Sequence, residues 1–285
     1  IMQAKAHQVP TFIINARLSD RSFKRYQRWG GALLQEVLGQ VTAVVAQSAQ
    51  DKSRFEQLGA RQTFCCGNIK FDYQPPAELS PPDWPNLRFW LAASTHEDEE
   101  QQLAKVHQAL QQTDPTLRFV VVPRHPERAA EVERQLQRLG LAVVRGNMRC
   151  AINWQQTDVL IVEQTGVLPD LFVKAEVVFM GGSLVPVGGH NPIEPAAAYQ
   201  AVITGPYIQN FRAVFAAFEA QQACLLVERL DFLEDAVKHA LNDKTGWQER
   251  GQRAYQVVAA NRGAVGCVVT VSYTHLRAHE TGRNL

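Results

Sequence analysis

The stretch from Gly181 to Pro195, which reads GGSLVPVGGHNPIEP, carries residue types that suit the binding of a phosphate. Its four glycines let the backbone come close to a ligand. The stretch follows a short apolar run and leads into an alanine-rich segment that predicts a helix. Free N–H groups and the positive end of the helix dipole would then face whatever binds there. The pattern therefore predicts an anion site on a strand, a glycine-rich loop and a helix start.

The same residues also have a simpler interpretation. Asn191 fits as a helix N-cap, Pro192 as the first helical residue and Glu194 as the third, a variant of the capping box. His190 on its own is typical of an ordinary loop histidine. On spacing alone, helix capping and ligand binding both remain open for Asn191 and Glu194.

A second loop, Ser94-Thr95-His96-Glu97, follows the apolar run 87–93. Ser94 and Glu97 have the spacing of a capping box, and the acids that follow suit the first turn of a helix. The alternative is that Ser94, Thr95 and the neighbouring N–H groups face a bound substrate.

A third loop begins with Pro123 and Arg124, after the apolar run 117–122. The planar guanidinium of an arginine can grip a phosphate or a carboxylate with two hydrogen bonds, so we expect Arg124 to bind a ligand. A surface salt bridge to Glu127 or Glu131 is the alternative, and a surface role is the expectation for Arg128. A fourth loop, residues 163–169, predicts by itself only a turn into a helix.

Short apolar runs alternate with amphipathic segments along most of the chain. Nearly continuous apolar strands between helices are typical of a parallel sheet covered on both faces, so the fold class is α/β with a doubly wound parallel sheet. In such sheets, ligands bind at the carboxyl ends of the strands. The predicted strands are Thr11–Asn15, Thr42–Gln47, Leu87–Ala93, Leu117–Val122, Leu141–Arg145, Asp158–Val162, Val177–Met180, Ala201–Thr204 and Cys224–Glu228. The predicted helices include Glu99–Gln112, Pro126–Leu139, Pro192–Tyr199 and Phe211–Gln221.

The proline content predicts a boundary between two domains. Five prolines between residues 71 and 86 predict a linker, because proline sustains neither a helix nor a central strand. Residues 1–70 then form the end of a first domain, and residues 87–271 form a second domain that includes C-terminal helices. The final stretch, 272–285, has no apolar periodicity and resembles translated vector sequence, so we expect it to be non-native.

Charge and cysteine content exclude several classes of function. The 29 lysines and arginines nearly balance 28 acidic residues, which gives no electrostatic case for a nucleic-acid partner. No apolar run approaches the length of a membrane-spanning helix. Five scattered cysteines without a CxxC spacing predict buried free thiols rather than disulfides or a zinc site. No Asp-x-Asp triplet is present, so neither a metal nor another cofactor is expected.

The ordered set of motifs resembles the bacterial Kdo transferases, which add 3-deoxy-D-manno-octulosonic acid (Kdo) to lipid A precursors. The resemblance covers nearly the whole chain except the final stretch. Each motif is weak alone, and their order and spacing make the set specific. They are Asn15-Ala16-Arg17-Leu18-Ser19, Gly67-Asn68-Ile69-Lys70-Phe71-Asp72, Ser94-Thr95-His96-Glu97, Pro123-Arg124-His125-Pro126-Glu127-Arg128, the 181–195 loop and Asn261-Arg262-Gly263-Ala264.

The resemblance implies a two-domain GT-B fold and a glycosyltransferase that moves Kdo from CMP-Kdo to a lipid A precursor in lipopolysaccharide biosynthesis. The chemistry of these residues agrees with such a donor, because Gly188, Gly189 and the N-terminus of the Asn191 helix can meet the single phosphate and Glu194 can accept hydrogen bonds from ribose hydroxyls. His96 and His190 are possible substrate contacts. The implied CMP contacts are Pro123, Arg124, Thr165, Gly166, Val167, Asn191, Pro192, Ile193 and Glu194. The alternatives are another GT-B enzyme that uses a UDP-sugar, or a non-catalytic nucleotide-binding module.

The chain departs from the family pattern at two loops. Residues 163–167 read Glu-Gln-Thr-Gly-Val where relatives usually have Asp-x-Met-Gly-Glu. A side-chain contact from the last position of that loop is then lost, although backbone contacts could survive. Asp98 stands where many relatives carry glycine.

The family's catalytic base is not identifiable in the chain. In the family, a glutamate near the start of the first domain acts as general base, and a hydrophobic N-terminal segment anchors the enzyme to the membrane. We expect both to lie upstream of Ile1, because neither can be located in the sequence and Glu36 is more simply a solvated helix residue. The expectation is a donor-binding piece of an enzyme that works on the cytoplasmic face of the inner membrane, inactive and soluble on its own.

Overall fold

The computed structural model describes residues 1–281, and for residues 5, 29 and 278–281 it describes the backbone only. The chain divides into two compact units. The three-stranded unit comprises residues 1–73 together with the chain from Ala259 onward, and the seven-stranded unit comprises Gln74–Val258. The strands are β1 (Phe12–Ala16), β2 (Ala43–Ala46), β3 (Thr63–Cys65), β4 (Phe89–Thr95), β5 (Arg118–Pro123), β6 (Val143–Gly146), β7 (Val159–Val162), β8 (Val177–Met180), β9 (Val202–Thr204) and β10 (Cys224–Leu226).

Helices lie between many of these strands. Short 3-10 turns precede several of them, as at Pro126–Arg128 before α6. The helices are α1 (Met2–Ala6), α2 (Asp20–Trp29), α3 (Gly31–Leu38), α4 (Ala49–Gln57), α5 (Glu99–Thr113), α6 (Ala129–Arg138), α7 (Leu168–Phe172), α8 (Ile193–Ala197), α9 (Arg212–Ala220), α10 (Leu233–Asn242), α11 (Lys244–Ala260) and α12 (Ala264–Thr281).

The seven-stranded unit is built on one parallel sheet with the order β10-β9-β8-β4-β5-β7-β6. Its central strands β4, β5, β7 and β8 are buried over nearly their whole length, which explains their almost continuous apolar sequences. From β4 the chain adds β5, β6 and β7 on one side and then β8, β9 and β10 on the other. The strand order therefore reverses between β4 and β8, the place where doubly wound sheets bind ligands.

The three-stranded unit has a parallel sheet in the order β1-β2-β3. A small apolar cluster that includes Leu38, Val44 and Leu58 joins its strands to its helices. At the start of α12, the Asp72 carboxylate accepts hydrogen bonds from the N–H groups of Gly263 and Val265. Two of the motifs that are far apart in the sequence thus meet within this unit.

The sequence-based strands agree well with the structure, with one strand missed. Each of the nine predicted strands overlaps an observed one, and β3 is the strand that the sequence analysis did not identify. This strand has only three residues, Thr63–Cys65, and none of them is fully buried, so it has no distinctive apolar run.

The observed division of the chain differs from the predicted domain boundaries at the C-terminal end. The prediction placed 87–271 in one domain, whereas the chain from Ala259 onward belongs with residues 1–73. Helix α12 continues through the predicted tail to Thr281, so residues 272–281 are helical, and the last four residues of that tail lie outside the described chain.

The proline-rich segment contains neither a helix nor a strand between Asp72 and Phe89. It is nonetheless tied to the seven-stranded unit. Its Ser80 N–H donates to the Asp170 carboxylate, and the Trp84 ring packs edge-on against Trp154. The segment is therefore bound to this unit at several points along its length.

The prediction of buried free thiols is wrong for Cys66 and Cys267, which are paired, and for Cys65, which is exposed. Cys66 and Cys267 form a disulfide within the three-stranded unit, a pairing across 201 residues that sequence spacing could not reveal. Cys65 is exposed, Cys150 is half-buried and Cys224 is buried. Burial raises the pKa of the Cys224 thiol to about 12.

Membrane-spanning helices and metal-binding clusters are both absent from the described residues. No helix among residues 1–281 is long and apolar enough to cross a membrane. The same part of the chain contains no group of three or more His, Cys, Asp or Glu side chains placed to hold a metal ion.

Candidate functional site

A cavity of about 300 Å³ lies at the carboxyl ends of β4, β5, β7 and β8, where the strand order reverses. Eight of the residues predicted as site residues line it: Ser94, Pro123, Arg124, Thr165, Gly166, His190, Asn191 and Glu194. The sequence analysis did not identify the other lining residues, Val122, Pro126, Gln164, Leu168, Phe172, Met180 and Phe211. Except for Gln164, which lies in the loop after β7, these groups are apolar and belong to strand ends, turns or helices that read as ordinary core.

One side of the cavity, here called the glycine wall, consists of residues 94–99 and 181–194. Its centre is the Glu99 carboxylate, which is completely buried. The carboxylate accepts four backbone N–H bonds, from His96 at 2.9 Å, Gly182 at 2.6 Å, Ser183 at 2.8 Å and Leu184 at 2.8 Å. This one side chain therefore binds the loop after β4 to the loop after β8.

The predicted capping box between Ser94 and Glu97 is not formed. Ser94 is the penultimate residue of β4 and has a φ of 56°, and α5 begins only at Glu99. The reciprocal pairing occurs two residues later, where His96 N–H donates to the Glu99 side chain and Glu99 N–H donates to the His96 carbonyl. Between them, Asp98 has a φ of 69°, a left-handed conformation that explains why a glycine suits this position.

Close packing and backbone conformation require glycine in this wall. A Cβ on Gly181 would lie 2.6 Å from the Ser94 carbonyl oxygen, and Gly188 has a φ of 109°, which residues with a side chain rarely adopt. Gly189 donates its N–H to the Gly182 carbonyl at 2.7 Å. Both Gly188 and Gly189 are buried and neither lines the cavity, so their contact with a phosphate stays a prediction.

The loop enters α8 at Asn191, whose side chain accepts the Ile193 N–H at 3.2 Å. The predicted cap is not formed as expected: α8 begins at Ile193, with Pro192 in the N-cap position and no side-chain cap bond. The Asn191 bond instead closes an Asx turn just before the helix. Glu194 lines the cavity and bonds the Asn191 side chain instead of completing a capping box. Burial raises the pKa of the Glu194 carboxyl, and the bond from Asn191 opposes that effect.

Two histidines of the glycine wall, His96 and His190, contact each other beside the cavity. His96 Nε2 and His190 Nε2 are 2.9 Å apart, and the rings are nearly parallel with centroids 5.1 Å apart. Burial lowers both pKa values, that of His190 to about 4, and the nearby positive charges of Arg124, Arg128 and His125 add to the effect. Two neutral imidazoles therefore share one N–H···N hydrogen bond beside the cavity.

The opposite side, here called the open wall, consists of residues 123–126 and 163–168. Arg124 is exposed, and within the described chain no carboxylate oxygen lies within 4.0 Å of its guanidinium, so the alternative salt bridge to Glu127 or Glu131 is not formed. Thr165 and Gly166 are exposed at the cavity edge. The guanidinium is thus available to an anionic ligand.

Four predicted contact residues turn away from the cavity. Thr95 is buried and donates its hydroxyl to Glu100 Oε1 at 3.0 Å, so it cannot face a substrate. Val167, Pro192 and Ile193 are also buried and belong to the packing around α7 and α8. A side-chain contact with a ligand is therefore not expected from any of the four.

Arg128 does not have the surface role that the sequence predicted. Its guanidinium bonds Glu100 Oε1 at 2.9 Å, and Glu100 is completely buried. Burial raises the pKa of the Glu100 carboxyl, and Arg128 opposes that effect by stabilising the ionised form. The ion pair connects the start of α5 with the 3-10 turn after β5, so Arg128 has a structural role.

The catalytic base stays a prediction. The sequence analysis expected this glutamate upstream of Ile1, and the sequence begins at that residue. Ile1 itself is exposed and precedes α1 in the three-stranded unit. Glu36, which the sequence assigned to a solvated helix face, is an exposed residue of α3 in that same unit.

Comparison with known proteins places this geometry in a family. A family model described as 3-deoxy-D-manno-octulosonic-acid transferase (kdotransferase) matches residues 1–73. The chain is 36% identical over 275 residues to the 3-deoxy-D-manno-octulosonic acid transferase of Haemophilus influenzae, covering 93% of this chain and 64% of that protein. It is also 36% identical over 217 residues to the Bordetella pertussis enzyme of the same name, covering 73% of this chain and 50% of that one. The chain thus spans about half to two thirds of these relatives' length.

Solved structures give the same result. The C-terminal CMP-Kdo binding domain of WaaA from Acinetobacter baumannii is 31% identical with a TM-score of 0.57, covering 61% of this chain and 90% of that one. The Anabaena protein HepE in complex with UDP, at 14% identity, covers 96% of this chain and 74% of its own, with a TM-score of 0.55, which supports the fold alone. The expected GT-B-like α/β architecture is therefore confirmed, and the chain belongs to the 3-deoxy-D-manno-octulosonic acid transferase family of glycosyltransferases.

Proposed function

We propose that the cavity between the two walls binds the nucleotide of a CMP-sugar donor, CMP-Kdo, for transfer of Kdo to a lipid A precursor. The observation that carries the proposal is the convergence of Arg124, Glu194 and the Thr165–Gly166 backbone on one cavity at the switch point of a parallel sheet. The resemblance of the seven-stranded unit to a CMP-Kdo binding domain supports the choice of nucleotide.

The chemistry of the lining residues fits a nucleoside monophosphate. Arg124 offers a planar set of N–H donors to the single phosphate, and its positive charge is not neutralised by a neighbouring carboxylate of the described chain. Glu194 supplies carboxylate oxygens that accept hydrogen bonds from ribose hydroxyls. A half-buried carboxylate is a stronger acceptor in this setting than one in bulk water, since burial lowers the local dielectric.

Membership of the family supports a proposal for the acceptor and for the location in the cell. We propose a lipid A precursor as the acceptor and the cytoplasmic face of the bacterial inner membrane as the site of action. The chain spans 64% of the length of the Haemophilus relative. We therefore test ligand binding by this chain rather than turnover.

Calorimetric titration of the 285-residue chain tests the proposal. CMP should bind more tightly than UDP or GDP. Glu194→Ala and Arg124→Ala should each weaken CMP binding by about tenfold or more, the effect expected when a charge-assisted hydrogen bond of about 1.5 kcal/mol is lost.

Glu127→Ala is the matched control, because Glu127 is an exposed residue of the Arg124 loop that does not line the cavity. Its CMP affinity should stay within about twofold of the unaltered chain. Equal affinity for CMP, UDP and GDP would refute the assignment of the donor. Near-native affinity in both Glu194→Ala and Arg124→Ala would limit these residues to structural roles.

A further inference from the structure

The Glu99 carboxylate is the most completely satisfied polar group near the cavity. Its two oxygens accept four backbone N–H bonds of 2.6–2.9 Å, and its side chain has no contact with solvent. A carboxylate has about four lone-pair sites, so this set of donors uses its full capacity. Such an arrangement fixes the backbone of both loops, because release of any one donor leaves a buried polar group without a partner.

The backbone that Glu99 holds lies directly under the histidine pair. A Cβ on Gly182 would be 3.0 Å from the His190 ring and 3.3 Å from His96 Cδ2. Gly182 has a φ of 66°, so it occupies a conformation that other residues rarely adopt. The N–H group of this same residue makes the shortest bond to Glu99, at 2.6 Å.

His96 is bound to Glu99 from the other side. The backbone N–H of His96 donates to the same Oε2 atom that accepts from Gly182. Gly182 lies beneath both rings, and His96 carries one of them. Both residues therefore donate their N–H groups to the same carboxylate oxygen of Glu99.

We propose that Glu99 is a positioning residue, whose carboxylate holds the His96 and His190 rings in contact at the edge of the donor cavity. The ring contact itself is a property of the unliganded protein. Only the effect on CMP affinity rests on the proposed function.

Glutamine cannot replace glutamate here. Its amide has one oxygen and one NH₂ group, and the NH₂ would face two of the four N–H donors. Glu99→Gln should therefore release part of the 182–184 backbone and separate the rings, although the side chain keeps its size.

Nitrogen NMR of the imidazole rings in the unliganded chain tests this directly. In Glu99→Gln, the signal of the shared N–H···N bond should disappear, and the pKa of His190 should rise from about 4 toward the ordinary value. His107, buried in the sheet core and bonded to the Trp90 indole, is the internal control, and its pKa should stay at about 4. Glu97→Gln alters an exposed acid of the same loop and should leave all three histidines unchanged.

A second variant keeps the proposal testable if Glu99→Gln does not fold. Gly182→Ala leaves the carboxylate in place and pushes a methyl group against both rings, so it should give the same change at His96 and His190. A folded Glu99→Gln or Gly182→Ala protein with an unchanged imidazole pair would overturn the proposal.

CMP titration then separates this inference from the proposed function. Glu99→Gln should bind CMP about tenfold more weakly and Glu97→Gln normally. If the unaltered chain fails to bind CMP, the proposed function is refuted, while the imidazole spectra still decide the role of Glu99. If Glu99→Gln separates the rings but binds CMP normally, Glu99 positions the pair and the pair plays no part in nucleotide binding.

Discussion

The two walls of the cavity are built in opposite ways. The glycine wall is held by a buried carboxylate with four backbone hydrogen bonds and by a close contact between Gly181 and the end of β4. On the open wall, Arg124, Thr165 and Gly166 are exposed. One wall is therefore fixed before a ligand arrives, whereas the side chains of the other can adjust to it.

The difference separates two kinds of mutational effect. A change that removes one of these bonds, or crowds one of these close contacts, should lower the free energy of unfolding and the ligand affinity together, because the same contacts provide both. Removal of an exposed side chain from the open wall should alter affinity alone, since these side chains make little contact with the core. Substitutions in each wall test that division.

Gly181→Ala should have the largest effect on stability. Its Cβ would meet the backbone of Ser94 and Thr95 at 2.6–2.9 Å, which forces β4 and β8 apart. We expect a loss of about 2–3 kcal/mol in the free energy of unfolding, measured by urea denaturation. Gly166→Ala on the open wall, with φ at 77° and no atom within 4 Å of the added Cβ, is the matched variant. It should lose only about 1 kcal/mol, and equal losses in the two variants would contradict the division.

Arg124→Ala should show the opposite behaviour. We expect CMP binding to weaken by about tenfold while the free energy of unfolding changes by less than about 0.5 kcal/mol. The remaining affinity should depend less on salt, because a phosphate contact has been removed. Calorimetry at two salt concentrations, combined with denaturation, checks all three outcomes. A large loss of stability would show that Arg124 belongs to the fixed part of the site.

The pH dependence of binding should report the histidine pair. In the free protein His190 has a pKa of about 4, and the groups that face it are His96, His125 and Arg124, with Glu194 on the same loop. A bound anion favours the charged imidazole and raises this pKa. The complex then binds more protons than the free protein, so His190 should increase affinity as the pH falls from about 7 to about 5.

The phosphate of CMP also titrates near pH ~6, so the comparison must use a variant. His190→Asn keeps a polar side chain without a titrating group. Between pH ~7 and ~5, CMP affinity in the unaltered chain should gain about threefold over that in His190→Asn, measured by calorimetry. Parallel pH profiles in the two proteins would mean that no proton is taken up at His190.

Asp98→Gly should have the smallest effect. Asp98 has left-handed backbone geometry, and its side chain makes no capping bond, so glycine removes strain without removing a contact. We expect stabilisation of less than about 1 kcal/mol, with CMP affinity unchanged. Asp98→Ala is the control and should be slightly less stable than the Asp98→Gly protein. A marked loss of stability in Asp98→Gly would show that the side chain has a role that its contacts do not reveal.

The sequence predicted the sheet and the open wall well, for clear physical reasons. Strands buried on both faces are almost continuously apolar, so β4, β5, β7 and β8 could be recognised directly. Because parallel strands end at the same edge of a sheet, the Arg124 loop could be assigned to this edge from its position after β5. Gly166 was assigned through the family resemblance, since its loop predicted by itself only a turn into a helix.

The construction of the glycine wall could not be predicted in the same way. Glu99 reads as an acid in the first turn of a helix, and its four donors are defined only when the loop after β8 folds against it. Likewise, the sequence could not show that Gly189 donates its N–H to the Gly182 carbonyl or that Gly188 has a φ of 109°. Local spacing shows which residues lie at a strand end, but it does not show which of their atoms are already engaged by another loop.

An amide NMR titration with CMP locates the bound nucleotide on the chain. The largest shifts should fall on both walls, at Arg124, Gly166 and Glu194, with little change around Arg88 and Lys238, which line a separate cavity. UDP at the same concentration should produce smaller shifts. Shifts that centre on Arg88 and Lys238, or an absence of shifts at either wall, would contradict the account.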